Sequence, residues 1–171
     1  MDVPNPRLTP GAVLTTNAAR VRTPGYSASV RDGPYSEKLA VYRRYGVAYV
    51  AYRHEVDHLV SLEVGGPNAI TNLWPEPYAG RWGACTKDAV ENALHDLVCS
   101  GRLSLRHAQH IEARNWVRAY RLYVGGRPSA TTIYCVDASR WRSLSTTYLV
   151  HFKTFAQAIA RFPGRHLHQP C

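Results

Sequence analysis

Three stretches of this 171-residue chain have the pattern of helices. The first, over residues 36–46, predicts a short helix that Ser36 can cap and that Gly46 ends. The second, over residues 82–101, alternates apolar and polar positions at helical spacing. Its apolar face comprises Ala84, Val90, Leu94, Leu97 and Val98, and its polar face comprises Cys85, Asp88, Asn92 and Asp96. The third helix is predicted over residues 104–123, with Ser104 as its N-cap.

The segment between the first two predicted helices has the composition of strands. Residues 47–52 are Val-Ala-Tyr-Val-Ala-Tyr, and residues 56–64 form a β-branched and aliphatic run. A Gly-Gly-Pro-Asn turn at residues 65–68 ends that run, and residues 72–74 supply a short return strand. Strand, turn, strand and helix thus follow one another over residues 55–101, so we expect an α+β fold.

The two ends of the chain have weaker patterns. Residues 1–34 are rich in Pro, Gly, Ser and Thr, which predicts an irregular basic arm with one extended piece at residues 12–16. Residues 35–124 contain the predicted hairpin and helices. Residues 125–171 form a basic C-terminal extension in which a strand is predicted over residues 131–136. We expect these three segments to be the units of the chain.

The net charge of +9 is distributed unevenly. Residues 1–53 hold eight Lys and Arg against three Asp and Glu, residues 54–101 hold two against seven, and residues 102–171 hold eleven against two. Basic flanks around an acidic centre suit a protein that binds a polyanion with its ends and a cation with its centre. Of the 21 basic residues 18 are Arg, whose forked guanidinium suits phosphate. A nucleic acid is therefore the expected partner; a charge that serves only solubility is the alternative.

The four cysteines, at positions 85, 99, 135 and 171, form no Cys-x-x-Cys pair. Cys85 and Cys99 fall on one predicted helix about 21 Å apart, which is too far for a mutual disulfide. We expect free thiols, with a bridge through Cys135 or Cys171 as the alternative.

The expected location is the cytoplasm. The N-terminal residues lack a signal pattern, and no stretch is long enough to span a membrane. We therefore expect no membrane contact. Secretion after removal of a preceding segment stays an open alternative.

The densest group of metal-capable side chains is His54-Glu55-Val56-Asp57-His58. On a helix, His-Glu-x-x-His places two imidazoles one turn apart for zinc, as in zinc peptidases. On a strand, the adjacent Asp57 and His58 would instead precede a turn, which is typical of a nuclease site. The aliphatic run and the glycine turn after His58 favour the strand, and the best third zinc ligand, Glu76, lies between two prolines. The zinc peptidase is thus the less favoured alternative.

Four sequence blocks in fixed order extend the strand interpretation. They are Glu-Val-Asp-His-Leu at residues 55–59, Leu-Glu-x-Gly-Gly at 62–66, Asn-Leu-Trp-Pro-Glu-Pro at 72–77 and Lys-Asp-x-x-Glu-Asn-x-Leu-His at 87–95. With these blocks the chain resembles the HNH endonuclease superfamily, in particular a bacterial subgroup, over about residues 53–124. The resemblance implies a ββα-metal unit, a hairpin followed by a helix, here with additional packed helices and irregular basic termini.

The resemblance also implies an endonuclease that hydrolyses phosphodiester bonds with one divalent cation. Mg²⁺ is expected foremost, and Zn²⁺, Mn²⁺ and Ni²⁺ are alternatives. Asp57 would be a metal ligand, and His58 would be the general base, since an ordinary imidazole has a pKa of about 6.5. Asn72 would tie the hairpin loop and help hold His58 in orientation. DNA is expected ahead of RNA, and the sequence implies no particular protein partner.

The chain departs from the superfamily where a second metal ligand is expected, near the start of the helix. The superfamily has His or Asn there, whereas residues 83–86 are Gly-Ala-Cys-Thr. Cys85 would suit a softer metal such as zinc, and Asp88, one turn further on, is the alternative ligand. A weakened metal site would instead leave a non-catalytic nucleic-acid-binding protein on this scaffold.

Nucleic-acid contacts are predicted for four basic side chains. Lys87 lies beside the expected metal ligands and would meet a scissile phosphate. The other three share one face of the third predicted helix, where they would follow a phosphate backbone; they are Arg114, Arg118 and Arg121.

Overall fold

A two-stranded antiparallel hairpin and the helix that follows it lie at the centre of the fold. The computed structural model describes residues 3–124 and the residue pairs 132–133 and 166–167. The helices are α1 (Ala18–Val21), α2 (Tyr26–Val30), α3 (Tyr35–Tyr45), α4 (Ala84–Cys99) and α5 (Leu105–Ala119), with a π-helical turn at Tyr120–Val124. The strands are β1 (His54–His58), β2 (Leu73–Pro77), β3 (Thr132–Ile133) and β4 (His166–Leu167). The prediction of an α+β fold is confirmed.

The register of the hairpin decides which side chains share a face. Glu55 lies opposite Glu76, and Asp57 lies opposite Trp74. Because side chains alternate along a strand, Glu55, Asp57 and Glu76 project from one face, and His58 projects from the other. The hairpin thus separates the two members of the Asp-His pair.

Strand β1 is shorter than the predicted run of residues 56–64. It ends at His58, and Leu62–Val64 form a single 3₁₀ turn that ends at Gly65. Gly65 has a φ of 84°, and a Cβ on Gly66 would overlap the carbonyl oxygen of Val60. The glycine pair therefore folds the loop back onto β1, and an extended strand could not continue into it.

The three predicted helices are confirmed, with shifted ends. Pro34, not Ser36, is the N-cap of α3, and its last residue is followed by Gly46 in the left-handed conformation. Ser104 caps α5 as predicted, and its side chain accepts a hydrogen bond from the backbone N–H of His107. Helix α5 has a break at Asn115, whose side-chain oxygen accepts the backbone N–H of Arg118 at 2.8 Å and so caps the next segment.

Residues 47–52 are not a strand, contrary to the prediction. Tyr52 has a φ of 64°, and the backbone from residue 51 to 53 turns towards β1. No strand pairs with this segment in the described part of the chain. Its composition favoured a strand, but strand propensity has little effect without a partner.

Residues 3–34 are less irregular than predicted. They contain α1 and α2 and no strand at residues 12–16. Val21 and Tyr26 belong to the hydrophobic core with Val90 and Leu94 of α4. Leu14 and Thr15 donate backbone hydrogen bonds to the carbonyl of Gly65, so this segment packs directly on the hairpin loop.

The C-terminal extension is described only at β3 and β4, which pair in parallel. The rest of the predicted strand over residues 131–136 lies outside the described residues. Cys85 is exposed and is not in a disulfide, whereas Cys99 is disulfide-bonded. The expectation of free thiols is therefore wrong for Cys99. None of the described helices is long and apolar enough to cross a membrane.

Candidate functional site

Asp57 of β1 forms an ion pair with Lys87 of α4. The Lys87 ammonium nitrogen lies 2.7 Å from Asp57 Oδ2. The ammonium also donates to the backbone carbonyl of His58 at 2.7 Å and contacts the carboxylate of Glu91, one turn further along α4. Three oxygens therefore surround this cation.

Lys87 is 0% exposed, which corrects its predicted role. A side chain with no solvent-accessible surface cannot meet a phosphate in this conformation. Burial lowers the pKa of a lysine, but the carboxyls of Asp57, Glu91, Glu76 and Glu112 outweigh burial, so the pKa of Lys87 lies well above its ordinary value. Lys87 is thus a permanent internal cation.

Glu76 is a second buried acid on the Asp57 face of the hairpin. It is 0% exposed, and its side chain forms a hydrogen bond with the carboxyl of Asp57, which favours the protonated form of Glu76. A buried carboxyl that holds its proton avoids the cost of burying a second negative charge beside Asp57. Burial, followed by the neighbouring charge of Asp57, raises the pKa of Glu76 well above its ordinary value.

The acids around Lys87 titrate differently from one another. Burial would raise the pKa of Asp57, but the Lys87 ammonium reverses this effect, so its pKa is lowered. Burial raises the pKa of Glu91 well above its ordinary value and that of Glu112 to about 7, and Lys87 opposes burial in both. Asp57 is therefore ionised at neutral pH.

His58 lies on the opposite face of β1, where Asn68 holds its imidazole. Nε2 of His58 is 3.0 Å from Oδ1 of Asn68, and Nδ2 of Asn68 donates to the carbonyl of Val30 at 2.7 Å. The second bond fixes which end of the amide faces His58. Since Oδ1 can only accept, Nε2 carries the proton and the lone pair of the neutral ring is on Nδ1.

The pKa of His58 is lowered, mainly because the side chain is buried; the residue is 8% exposed. Asp57 and the bond to Asn68 oppose this effect, whereas Lys87 and the exposed Arg31 add to it. A neutral imidazole with a directed lone pair can act as a general base.

Asn72 ties the hairpin loop, as predicted, through four hydrogen bonds. Its Oδ1 accepts from the backbone of Val60 and Ala12, and its Nδ2 donates to the carbonyls of Val60 and Pro67. It makes no side-chain hydrogen bond to His58, and the orienting role predicted for it falls to Asn68.

Cys85 and Asp88 do not join Asp57 at a common point. Cys85 is exposed, whereas Lys87 and Glu91 of the same helix point inwards. Asp88 is partly buried, and its carbonyl accepts a hydrogen bond from Asn92 at 2.8 Å. In residues 3–124 no three His, Cys, Asp or Glu side chains form a group that could hold a metal ion.

The three arginines predicted to bind nucleic acid are exposed; they are Arg114, Arg118 and Arg121. The break at Asn115 separates the first from the second, and the third lies in the π-helical turn. Their sharing of one face therefore no longer follows from helical spacing. The guanidinium of Arg121 lies 5.9 Å from the centre of the Trp82 ring.

The motif His54–His58 is a strand, so the zinc-peptidase alternative lacks its helix. Two residues four apart on a strand are separated by about 13 Å, too far to share one ion. The ring of His54 packs against that of Tyr42 at 6.4 Å.

The sequence named Glu76 only as a zinc ligand of the peptidase alternative, and it did not indicate Glu91 or Asn68 as site residues. Signals for two of them were present: Glu91 follows Lys87 by four positions, which is ion-pair spacing on a helix, and Glu76 pairs with Glu55 once the hairpin register is known. The contact of Asn68 with His58 has no such signal, because it depends on the path of the loop.

Comparisons with protein-family models, curated proteins and solved structures give no match to this chain.

Proposed function

We propose that this protein is a metal-dependent HNH-type endonuclease in which β1, β2 and α4 form the ββα-metal unit. The observation that carries the proposal is the pair formed by Asp57, ionised on one face of β1, and His58, held by Asn68 on the other. An ionised acid and a directed neutral imidazole on adjacent residues are the two groups that such hydrolysis requires.

His58 would take the proton from water through Nδ1, while Asn68 keeps the ring oriented. The lowered pKa of His58 keeps the ring neutral at physiological pH. The activated water would attack phosphorus in line with the leaving oxygen. As the ring becomes charged, the carboxylate of Asp57 and the amide of Asn68 would both stabilise it.

Asp57 would be the ligand of a hard divalent cation. It is ionised, and Glu76 is a second carboxyl buried on the same face of the hairpin. Carboxylates suit Mg²⁺ or Mn²⁺ better than zinc, and the exposed thiol of Cys85 lies apart from them. When bound, the cation would stabilise the charge at phosphorus and at the leaving oxygen.

The substrate would be DNA, bound by basic side chains outside the site. Arg31 lies on the surface close enough to His58 to affect its pKa, and the exposed arginines of α5 provide further positive charge. RNA is the second substrate to test.

Plasmid cleavage tests this proposal. The full chain is incubated with supercoiled DNA in EDTA, Mg²⁺, Mn²⁺ or Zn²⁺, with an RNA transcript in parallel. We expect cleavage with Mg²⁺ or Mn²⁺ only, and a loss of about 10²–10⁴-fold in His58→Ala. His107→Ala, which removes an exposed imidazole from α5, is the matched control and should cut normally. Normal cleavage by a folded His58→Ala would refute the proposal.

A second candidate function is nucleic-acid binding without catalysis. The position of the Lys87 ammonium beside Asp57 favours it, because a lysine already neutralises the expected metal ligand. This alternative predicts salt-sensitive DNA binding with no cleavage in any metal.

A further inference from the structure

We propose that Tyr35, Tyr49 and Tyr52 form a binding surface for a single strand of DNA, whose unpaired bases stack on the exposed rings. We call these three residues the tyrosine surface. The choice of DNA rests on the proposed endonuclease function, whereas the stacking of bases does not. The inference adds a substrate class to that function, namely DNA that is single-stranded beside the cleaved bond.

The first observation is the exposure of three aromatic side chains. Tyr35, Tyr49 and Tyr52 are 62%, 52% and 67% exposed, and the other Tyr and Trp side chains of residues 3–124 are buried or half-buried. Val50, in the same segment, is exposed as well. Large apolar groups that gather at one part of a surface indicate a binding site.

The second observation is the backbone conformation of Tyr52. Residues 50–53 form a turn, in which the N–H of Arg53 donates to the carbonyl of Val50 at 3.2 Å. Tyr52 is the third residue of this turn and has a φ of 64°, a conformation that favours glycine or asparagine and is strained for a bulky side chain. A tyrosine that keeps a strained backbone and remains exposed does not serve the core, so its ring is available for a ligand.

The third observation is the fixed orientation of Tyr49. Its ring packs edge to face on Tyr35 at 6.3 Å and on Tyr42 at 5.4 Å between ring centres. Tyr42 is buried, and its hydroxyl donates to the carbonyl of His54 at 2.9 Å. Contacts of this kind hold a ring in place, so little side-chain freedom is lost when a base stacks on it.

The row of rings leads to the face of β1 that carries the candidate base. The ring of Tyr42 lies 6.4 Å from that of His54. His54 and His58 are four residues apart on one strand, so they project from the same face at a separation of about 13 Å. A strand of DNA on the tyrosine surface would therefore reach His58 along β1.

The charge around the rings selects a polyanion as the partner. Residues 35–53 hold four basic residues and one acid, and three of the basic side chains are exposed, namely Lys38, Arg43 and Arg53. Proteins that bind single strands combine such cations for the phosphates with aromatic rings for the bases. In a duplex the bases already stack on one another, so the rings would have no free base to bind.

Fluorescence anisotropy in EDTA tests this surface without any cleavage, with a labelled strand of about 15 nucleotides and the matching duplex. Tyr49→Leu/Tyr52→Leu should weaken binding of the single strand by about tenfold or more, because two stacking faces are lost. Tyr49→Phe/Tyr52→Phe keeps both rings and should stay within about twofold of the wild type. Leu14→Ala, which removes an exposed apolar side chain elsewhere, should bind as the wild type does.

Two further measurements separate stacking from a general loss of binding. The leucine variant keeps its net charge, so the slope of log K against log salt should equal that of the wild type. Its affinity for the duplex should also be unchanged. If the double variant does not fold, Tyr35→Leu takes its place. Normal binding of the single strand by a folded leucine variant, an equal loss for strand and duplex, or an equal loss in the phenylalanine variant would overturn the inference.

The tests of this surface and of the endonuclease can fail separately. Single-strand binding that depends on the tyrosines, without cleavage in any metal, would refute the endonuclease alone. DNA cleavage together with normal single-strand binding by the leucine variant would refute this surface alone. Binding of an RNA strand at least about tenfold more tightly than DNA would overturn the choice of DNA.

Discussion

Asn68 accepts the Nε2 proton of His58 at 3.0 Å and is itself anchored to the carbonyl of Val30 at 2.7 Å. The N-terminal segment thus determines, through one amide, which nitrogen of the imidazole is free to act as a base. The same hydrogen bond raises the pKa of His58 against the larger effect of burial.

Two replacements of Asn68, by Ala and by Asp, should therefore shift the pH dependence of cleavage in opposite directions. A general base works when neutral, so the rate rises with pH through the pKa of His58. Asn68→Ala removes a hydrogen bond that raises this pKa, so the rise of the cleavage rate on the acid side of the pH profile (the acid limb) should move to lower pH. The maximal rate should fall about tenfold, because the imidazole is no longer held in orientation. Asn68→Asp adds a negative charge beside the ring, and the limb should move to higher pH.

The measurement is kcat/KM for a short DNA duplex between pH 5 and pH 9. Ala69→Gly, a change at the exposed neighbouring residue, is the control and should leave the limb in place. Identical limbs for Asn68→Ala and Asn68→Asp would show that Asn68 does not act through His58.

Replacing Asn72 should lower the stability of the fold. Three of its four hydrogen bonds close the hairpin loop and the fourth joins the loop to Ala12 of the N-terminal segment, all from a fully buried position. Asn72→Ala leaves those backbone groups unsatisfied and should lower the free energy of unfolding by about 3 kcal/mol or more. Urea denaturation measures this value. Asn92→Ala, which removes one hydrogen bond on α4, should cost less than about 1 kcal/mol. Equal losses in the two variants would contradict the structural role.

The order of elements was predictable because it depends on local signals. The aliphatic run, the glycine turn and the apolar spacing of α4 each act within a few residues, and the cap at Ser104 acts within one turn. The strand predicted over residues 47–52 failed because a strand needs a partner, which composition does not reveal.

The site was predictable only in part, because two of its features depend on contacts distant in sequence. The prediction placed Asp57 and His58 together on a strand before a turn, as the structure has them. Lysine is rarely buried, so nothing local indicates that Lys87 lies inside; its burial follows from the acids that β1 and β2 present to α4. Glu76, set between two prolines, shows its importance only once the register of the hairpin is known.

Gly66 should tolerate no side chain. A Cβ at this position would overlap the carbonyl of Val60 and approach the side chain of Asn72. Gly66→Ala must move the loop away from β1 and should cost about 3 kcal/mol or more, measured as the shift in the urea midpoint. Gly33→Ala is the matched control, since only the flexible end of Lys38 lies near its Cβ, and its effect should stay within about 0.5 kcal/mol. A wild-type midpoint for Gly66→Ala would contradict the loop geometry.

Glu112 should make the protein less stable as pH rises towards neutrality. Ser61 donates to both of its oxygens, yet burial raises its pKa from 4.5 to about 7. Between these values the folded state holds a proton that the unfolded state has released, so the free energy of unfolding falls as pH rises and then levels off above about pH 7. The shift corresponds to about 3 kcal/mol at most.

Glu112→Gln keeps the shape and can keep both contacts with Ser61, but it cannot ionise. Chemical denaturation at pH 5, 6, 7 and 8 should show a smaller fall in stability for this variant than for the wild type, by up to about 3 kcal/mol. The remaining fall belongs to Glu76 and Glu91, whose pKa values are also raised. Asp96→Asn should reproduce the wild-type profile, and parallel profiles for wild type and Glu112→Gln would refute the assignment.

Removing the exposed arginines of the C-terminal helical segment should weaken DNA binding without affecting the site. The variant Arg114→Ala/Arg118→Ala/Arg121→Ala loses three positive charges that lie outside the Asp57 and His58 contacts. If all three meet phosphates, the slope of log K against log salt should become shallower by about 3, because fewer counterions are released on binding. Fluorescence anisotropy of a labelled duplex between 50 and 300 mM salt would measure this slope.

A control variant removes the same charge from other elements, at the exposed Arg7, Arg43 and Arg102. Equal slopes in the two variants would assign the effect to net charge, whereas a change confined to the first would locate the DNA on α5.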